Sequence, residues 1–229
     1  MNEKKYSIAI DGPSGAGKST LAKAIAAEMG IVYVDTGALY RSIGYYAWKN
    51  GIDPKDAEAV AATLPDIKVD MCYSDDGLQH MILCGEDVTD KIRLPQISMY
   101  ASDVSAIPAV RAFLLDMQRD MAKRYNVIMD GRDIGTVVLP DADVKIFLTA
   151  PAEVRAQRRM KELAERGTPC AFEEVLRDIE QRDWNDSHRA TAPLRQADDA
   201  VLVDNGNTNF EESKQVLLRV IKEALGIEK

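Results

Sequence analysis

Residues 7–29 read SIAIDGPSGAGKSTLAKAIAAEM, and this stretch is the most informative part of the chain. An apolar strand-like segment comes first, and a helix-like segment comes last. Between them, residues 12–20 match the pattern G-x-x-x-x-G-K-[ST] without interruption. The glycines let successive backbone N–H groups turn toward one anion-sized hole, and the helix N-terminus adds its dipole. The stretch therefore predicts a phosphate-binding loop rather than an ordinary glycine-rich turn.

The side chains of this loop predict a site for a nucleoside triphosphate. Lys18 is expected to reach the outer phosphates, and the hydroxyl of Ser19 is expected to help hold Mg²⁺. The predicted triphosphate-binding residues are Gly12, Pro13, Ser14, Gly15, Ala16, Gly17, Lys18, Ser19 and Thr20.

The rest of the chain predicts an α/β fold around this loop. Short apolar segments typical of buried parallel strands occur at 7–10, 31–34, 127–129, 144–148 and 200–203. Helical patterns separate most of them, and a closing helix is expected over 209–225. The expected core is therefore a five-stranded parallel sheet flanked by helices.

One region breaks this rhythm. Residues 67–73 and 78–83 alternate in polarity around the turn-like segment 74–77, which predicts an antiparallel hairpin. Helical patterns flank the hairpin at 53–64 and, in pieces, at 94–124. We therefore expect a core of residues 1–61 and 96–229, with an insertion over 62–95 that lies above the nucleotide crevice.

Charge and composition narrow the possible partners. The 229 residues carry a formal net charge of −8, and no polybasic block is present. Extended nucleic-acid binding has little electrostatic support in such a chain, because it depends on clustered Lys and Arg. No apolar run approaches the roughly 18 residues that span a bilayer. The N-terminus leads directly into the first strand, so we expect no signal peptide and a cytoplasmic protein.

The three cysteines fit neither a disulfide framework nor a zinc site. They are Cys72, Cys84 and Cys170, and their wide spacing favours reduced thiols. A turn at residues 76–77 of the hairpin would place Cys72 opposite Met81 rather than opposite Cys84.

Two clusters follow predicted strands, at the sheet edge where ligands bind in open α/β folds. Thr36, Tyr40 and Arg41 fall on one end of a helix, where they could meet a second anion or simply form a capped surface helix. Asp130 ends an apolar strand, which is the Walker B pattern for orienting Mg²⁺ through water. Arg132 follows on the same loop.

Two helical segments carry further arginines. Arg155, Arg158 and Arg159 lie at i, i+3 and i+4, and their mutual repulsion calls for compensation. Carboxylates such as Glu153 and Glu162 or a bound polyphosphate could provide it, and a solvated basic face is the alternative. In the second segment, Arg182, Asp186 and Arg189 share a helical face at spacings of four and three. This face could belong to a functional site, or it could be the salt-bridged surface of an ordinary helix.

Taken together, the segments resemble bacterial cytidylate kinases. The resemblance rests on residues 10–20, 35–41, 130–138 and 190–194 and on the hairpin insertion, and it covers essentially the whole chain. It implies an adenylate-kinase-like core, an insertion that binds a nucleoside monophosphate and a short lid at about 155–170. The implied reaction transfers a phosphoryl group from ATP to CMP or dCMP. The implied protein is a monomer with small-molecule partners, and neither nucleic acid nor membrane is among them.

The resemblance also implies roles for individual residues, matched position by position. The implied catalytic residues are Lys18, Arg132, Arg158, Arg182 and Arg189, and the implied metal-binding residues are Ser19 and, through water, Asp130. The implied CMP-binding residues are Thr36, Tyr40, Arg41, Ser102, Arg111, Arg132, Asp133, Arg182, Asp186 and Arg189. Within this set, Ser102, Arg111 and Asp133 resemble the residues that read cytosine.

Three alternatives remain at the level of the sequence. Another small-acceptor kinase, for UMP, AMP or shikimate, would share the loop but differ at the acceptor site. A nucleotide-dependent switch would leave the arginine clusters unexplained. A structural or nucleic-acid-binding protein is disfavoured by the acidic balance.

Overall fold

The computed structural model describes residues 5–74, 79–165 and 167–227. The strands are β1 (Ser7–Asp11), β2 (Val32–Asp35), β3 (Val69–Tyr73), β4 (Gln79–Leu83), β5 (Glu86–Asp87), β6 (Val127–Gly131), β7 (Val144–Thr149) and β8 (Val201–Asp204). The α-helices are α1 (Lys18–Met29), α2 (Thr36–Lys49), α3 (Ala57–Thr63), α4 (Pro95–Ser105), α5 (Pro108–Arg124), α6 (Ala152–Glu165), α7 (Phe172–His188) and α8 (Phe210–Leu225).

The main sheet is parallel and has the strand order β2-β6-β1-β7-β8. β1 lies at its centre, where Ile8 pairs with Ile128 of β6 on one side and with Val144 of β7 on the other. All three of these residues are buried, as expected for a strand covered on both faces. The five predicted strands are confirmed, and each extends one residue or more toward its carboxyl end.

The predicted hairpin is confirmed, but its register is not the expected one. Cys72 faces His80, and Met71 faces Met81, so the prediction that Cys72 lies opposite Met81 is wrong by one residue. Because Tyr73 pairs with Gln79, five residues connect the strands, and this odd number shifts the register. The predicted turn at 76–77 lies outside the described residues.

The small sheet also contains a strand that the sequence did not predict. β5 pairs with β4 through Leu83 and Glu86, which makes the small sheet three-stranded. Its two residues are too few to produce a visible alternation. The cysteines agree with expectation, since all three are free thiols.

The helix boundaries reflect local capping. α3 begins at Ala57 rather than at residue 53, because Asp56 caps it by accepting a hydrogen bond from the Ala59 N–H at 3.0 Å. The predicted break within 94–124 is confirmed between α4 and α5. α8 starts with a capping box between Asn209 and Glu212. None of the helices in the described ranges is long and apolar enough to cross a membrane.

The chain divides into two compact units. One contains the chain up to Val32 and from Tyr125 onward, and the other contains Tyr33–Arg124. The first unit holds the predicted phosphate-binding loop, and the second holds the hairpin. The narrower insertion over 62–95 lies inside the second unit and stays a prediction.

Within the second unit, α2 and α4 approach each other closely at Gly44. A Cβ atom built on Gly44 would lie 2.9 Å from the backbone nitrogen of Ala101, which is shorter than real contacts allow. This approach matters because α2 carries Thr36, Tyr40 and Arg41.

We predict that Gly44→Val destabilises the second unit, because the larger side chain must push the backbone of α4 away. The expected loss is about 2 kcal/mol in the free energy of unfolding, typical of overpacking. Urea unfolding followed by circular dichroism measures it. Ala62→Val, on the exposed face of α3, is the control and should change stability by less than about 0.5 kcal/mol. Equal stability of the two variants would contradict the prediction.

Candidate active site

The phosphate-binding loop follows β1 directly, and its glycines are needed for its shape. Gly12 has a φ of 147°, and a Cβ there would lie 1.9 Å from the carbonyl oxygen of Leu148. Gly15 and Gly17 also have positive φ angles, of 76° and 87°. Only glycine adopts this succession of conformations without strain.

Lys18 lies inside this loop. Its Nζ donates a hydrogen bond to the carbonyl of Pro13 at 2.7 Å, and only 5% of the residue is exposed. The pKa of Lys18 is lowered to about 7, first by burial and then by the charge of Arg132, while Asp130 and Asp11 oppose the shift. A polyanion bound in the loop would favour the charged form of the lysine.

Ser19 and Asp130 lie together, as predicted for a metal site. The Ser19 hydroxyl donates to Oδ2 of Asp130 at 2.8 Å. These oxygen ligands fit Mg²⁺, which proteins bind through one or two side chains together with substrate phosphates and water. In the described part of the chain, no group of three or more His, Cys, Asp or Glu side chains is placed to hold a metal ion alone.

Asp11 is a site residue that the sequence analysis missed. Its carboxylate accepts hydrogen bonds from the N–H groups of Ile134 and Gly135 at 2.8 and 2.7 Å. These donors begin a π-helical turn, Ile134–Val138, directly after Asp133. Asp11 therefore connects the start of the phosphate-binding loop to the loop after β6. Its position at the end of an apolar strand, the same pattern that identified Asp130, could have revealed it.

Arg132, which is partly buried, forms an ion pair with the buried Asp186 at an Nε–Oδ2 distance of 2.7 Å. Burial alone would raise the pKa of Asp186, but the guanidiniums of Arg132 and Arg182 bring this pKa below its usual value. Burial lowers the pKa of Arg132. The carboxylate of Asp186, together with those of Asp130 and Asp183, outweighs burial, so the pKa of Arg132 is raised. Both groups are therefore ionised at neutral pH.

Arg189 lies just beyond the end of α7 and contacts Asp133. The Nη2–Oδ1 distance is 3.5 Å, and the two side chains are only 6% and 5% exposed. Arg189 Nε also donates to the carbonyl of Ala192 at 2.7 Å, within the 190–194 run. Asp186 is buried as well, and both residues pair with side chains from another segment, so the interpretation of this segment as a salt-bridged surface helix is wrong.

The three arginines of α6 have three different environments. Arg155 is buried, donates to the carbonyl of Ser14 at 2.9 Å and pairs with Asp183 at 2.7 Å. Asp183, and not the predicted Glu153, is therefore its carboxylate partner. Arg159 forms the predicted pair with Glu162 at 3.1 Å.

Arg158 differs from both neighbours, because it binds Asn205 rather than a carboxylate. The three side chains therefore do not form one solvated basic face. The start of α6 packs on the phosphate-binding loop, as the Arg155–Ser14 contact shows, and this packing buries the first arginine.

The second unit contains several of the predicted acceptor residues and brings Arg111 and Tyr40 together. The guanidinium of Arg111 lies 5.4 Å from the centre of the Tyr40 ring, and its Nη1 donates to the carbonyl of Ser105 at 3.1 Å. Ser102 is buried on the same helix as Ser105, and Thr36 is buried at the start of α2.

Asp35 organises the start of α2. It caps the helix by accepting from the Ala38 N–H at 2.9 Å, and it pairs with Nη2 of Arg41 at 2.7 Å. The Nε atom of Arg41 is buried and has no hydrogen-bond partner among the described residues. A buried guanidinium donor of this kind favours a site for an anion over a surface arginine.

Gln79 is a second residue that the sequence analysis missed. Its Oε1 accepts a hydrogen bond from the backbone N–H of Asp35 at 2.9 Å, which attaches β4 to the end of β2. Tyr73 adds a second attachment, from its hydroxyl to the carbonyl of Tyr33 at 2.8 Å. The hairpin thus braces the segment that carries Thr36 and Arg41.

A glycine loop between the central parallel strand and its helix, with a Ser–Asp pair between that helix and the neighbouring strand, defines the class of P-loop proteins that bind nucleoside triphosphates. A solved structure of a protein from Eubacterium ventriosum ATCC 27560 has the same fold, with a TM-score of 0.55 at 13% identity over 96% of this chain and 99% of that chain.

Within this class, the family model for cytidylate kinase matches residues 8–223, and the chain belongs to the cytidylate kinase family. It is 49% identical to the cytidylate kinase of Caldicellulosiruptor saccharolyticus over 98% of this chain and 99% of the relative. It is 50% identical to the cytidylate kinase of Caldicellulosiruptor bescii over 95% of this chain and 96% of the relative. The chain is therefore a nucleoside monophosphate kinase.

We predict that Asp11 makes the stability of the protein depend on pH. Burial raises the pKa of Asp11 from 3.8 to about 6, although its two backbone hydrogen bonds oppose the shift. Because the folded state favours the protonated acid, stability is lost as the pH rises from 3.8 to about 6. Relative to Asp11→Asn, the wild type should lose about 3 kcal/mol of unfolding free energy over this interval.

Urea unfolding of both proteins between pH 3.5 and 7 tests this expectation. Asp141→Asn, which removes an exposed carboxylate, is the control for the change in net charge. A difference between wild type and Asp11→Asn that does not change with pH would contradict the assignment.

Proposed function

We propose that the protein transfers the γ-phosphoryl group of ATP to CMP or dCMP and releases ADP with CDP or dCDP. The observation that carries the proposal is the largely buried cluster of charges around the loop after β6. On that loop, Arg132 pairs with Asp186, and Asp133 contacts Arg189. The loop follows Asp130, which bonds Ser19 of the phosphate-binding loop, so these charges could bind an acceptor phosphate beside a bound ATP.

ATP would occupy the loop that follows β1. Backbone N–H groups of residues 12–20 would bind its phosphates, and Lys18 would neutralise charge on the outer ones. Ser19 and, through water, Asp130 would hold Mg²⁺, which when bound neutralises negative charge on the β- and γ-phosphate oxygens.

The cytosine edge explains why CMP would be the acceptor. Cytosine presents an N4 amine donor beside the N3 and O2 acceptors, so a carboxylate with a guanidinium and a hydroxyl complements it. Asp133 would accept from the amine, and Arg111 and Ser102 would donate to the base. Uracil carries a carbonyl in place of the amine and would face Asp133 acceptor to acceptor, which such sites reject strongly.

The remaining polar residues would bind the sugar and the phosphates. The residues proposed for the acceptor phosphate and its surroundings are Thr36, Tyr40, Arg41 and Arg132. The residues proposed for the sugar and the transferring phosphates are Arg182, Asp186 and Arg189, with Arg158 on the ATP phosphates from the lid at about 155–170.

This chemistry needs no general base, because the attacking oxygen belongs to a phosphate that is already ionised at neutral pH. The protein would hold two polyanions in line, neutralise their charge and exclude water, which would otherwise accept the phosphoryl group. Closure of the lid would provide that exclusion. We further propose a cytoplasmic monomer whose partners are nucleotides, in keeping with the net charge of −8.

ADP release with CMP, dCMP, UMP, AMP or no acceptor tests the proposal. We expect fast ADP release with CMP and dCMP and little release without an acceptor. Equal rates with and without an acceptor would support a nucleotide-dependent switch and contradict the kinase proposal. A preference for UMP or AMP would contradict the assignment of cytosine.

We predict that Asp133→Asn lowers the preference for CMP over UMP at least about tenfold, because the amide presents both a donor and an acceptor to the base. The ratio of kcat/KM for the two acceptors measures it. The KM for ATP should stay within about twofold, and Asp141→Asn should change neither quantity. A collapse of ATP affinity with an unchanged preference would show that Asp133 does not read the base.

We predict that Asp130→Asn raises the Mg²⁺ concentration for half-maximal activity at least about tenfold, because it removes a negative charge from the metal site. A Mg²⁺ titration at saturating CMP, with free ATP accounted for, measures the shift. Thermal unfolding of the variant checks that the fold is intact. An unchanged Mg²⁺ dependence in a folded, active variant would contradict the role of Asp130.

A further inference from the structure

Asn205 lies where the sheet meets the phosphate-binding loop. It directly follows β8, is only 3% exposed, and its backbone N–H donates to the carbonyl of Thr149 at the end of β7, at 2.9 Å. Its side-chain Nδ2 donates to the carbonyl of Ala16 in the phosphate-binding loop, also at 2.9 Å. The residue therefore fixes that loop to the two strands at one edge of the sheet.

Arg158 of α6 binds the same asparagine at two points. Nη1 of Arg158 donates to Oδ1 of Asn205 at 3.0 Å, and Nη2 donates to its backbone carbonyl at 2.7 Å. The next arginine, Arg159, pairs instead with Glu162 on its own helix. Only one of these two adjacent arginines is thus held against the loop.

An amide suits this junction. A guanidinium only donates hydrogen bonds and a backbone carbonyl only accepts them, so the residue between Arg158 and Ala16 must do both. These two partners also fix which end of the Asn205 amide faces which group. An aspartate would still accept from the arginine, but it would place a second acceptor against the Ala16 carbonyl.

Other side chains hold the neighbouring carbonyls of the loop in the same manner. The Pro13 carbonyl accepts from Lys18, and the Ser14 carbonyl accepts from Arg155. A carbonyl that is bonded in this way does not turn toward a phosphate, which favours a loop whose N–H groups face the anion.

We propose that Asn205 is a positioning residue that holds Arg158 and the Ala16 carbonyl in one arrangement before ATP binds. An arginine that is already ordered loses less rotamer entropy when the phosphates arrive. The inference rests on the proposed function, in which Arg158 acts on the phosphates of ATP.

A double-mutant cycle tests it with Asn205→Ala, Arg158→Ala and the double variant. The first readout is calorimetric affinity for a β,γ-imido analogue of ATP without acceptor, and the second is the KM for ATP and for CMP. We expect Asn205→Ala to weaken analogue binding about tenfold, as for the loss of a charge-assisted hydrogen bond, with the KM for CMP within about twofold. In the Arg158→Ala background, the same change should cost less than about threefold.

Arg159→Ala is the matched control and should leave analogue binding within about twofold of the wild type. Asn205→Asp keeps the volume of the side chain, so it decides the matter if Asn205→Ala does not fold. We expect about a tenfold loss of analogue affinity from it, because it removes the donor to Ala16.

Three results would overturn the inference: wild-type analogue affinity in a folded Asn205 variant, full additivity with Arg158→Ala, or an equal rise in the KM for CMP. The binding readout needs no acceptor. If the wild-type protein binds the analogue but does not phosphorylate CMP, the proposed function is wrong. The analogue affinities of the double-mutant cycle would still test the role of Asn205.

Discussion

The burial of Lys18 beside the guanidinium of Arg132 is the constraint on which the rest of the site depends. Burial disfavours the charged form of Lys18, and the nearby charge of Arg132 adds repulsion, so the pKa of Lys18 is lowered. The carboxylates of Asp11, Asp130 and Asp186 oppose the repulsion. These carboxylates allow an acidic chain to hold two cations close together in a folded structure. The negative charge of a bound polyphosphate would neutralise the remaining positive charge.

The same constraint explains why so many polar side chains surround one short loop. Three carbonyls of the phosphate-binding loop accept hydrogen bonds from side chains, namely those of Lys18, Arg155 and Asn205. A loop with left-handed glycines has no regular backbone partners of its own, and buried carbonyls need such donors. These bonds fix the orientation of three carbonyls of the loop, and phosphoryl transfer requires a preorganised site of this kind.

Local patterns predicted the features that depend on neighbouring residues. The five strands and the glycine loop follow from apolar runs and a spaced motif, and the break within 94–124 follows from helical patterns that occur in pieces; the structure confirms all of them. The Ser19–Asp130 contact also followed, because parallel strands end at a shared edge. The pairing partner of Cys72 could not be predicted in this way. It depends on the number of residues that connect the two hairpin strands, and the alternating polarity of the strands does not fix that number.

Features that depend on distant partners could not be read from the sequence. Asn205 bonds Ala16 across 189 positions, and Asp11 bonds Gly135 across 124. The end of an apolar strand marks Asp11 as a candidate site residue, but no local pattern identifies the partner of either residue. The partner of Arg155 is Asp183 rather than the predicted Glu153. Burial of Arg155 against the phosphate-binding loop selects this partner, and helical spacing gives no sign of it.

A crystal structure of the protein with ADP and CMP bound would show whether Asp133 reads the base. We expect the phosphates of ADP in the loop of residues 12–20, the cytosine amine within hydrogen-bonding distance of Asp133, and the CMP phosphate among the guanidiniums that include Arg132. CMP bound away from Asp133 and Arg132, with ADP in its expected place, would contradict the proposed acceptor site.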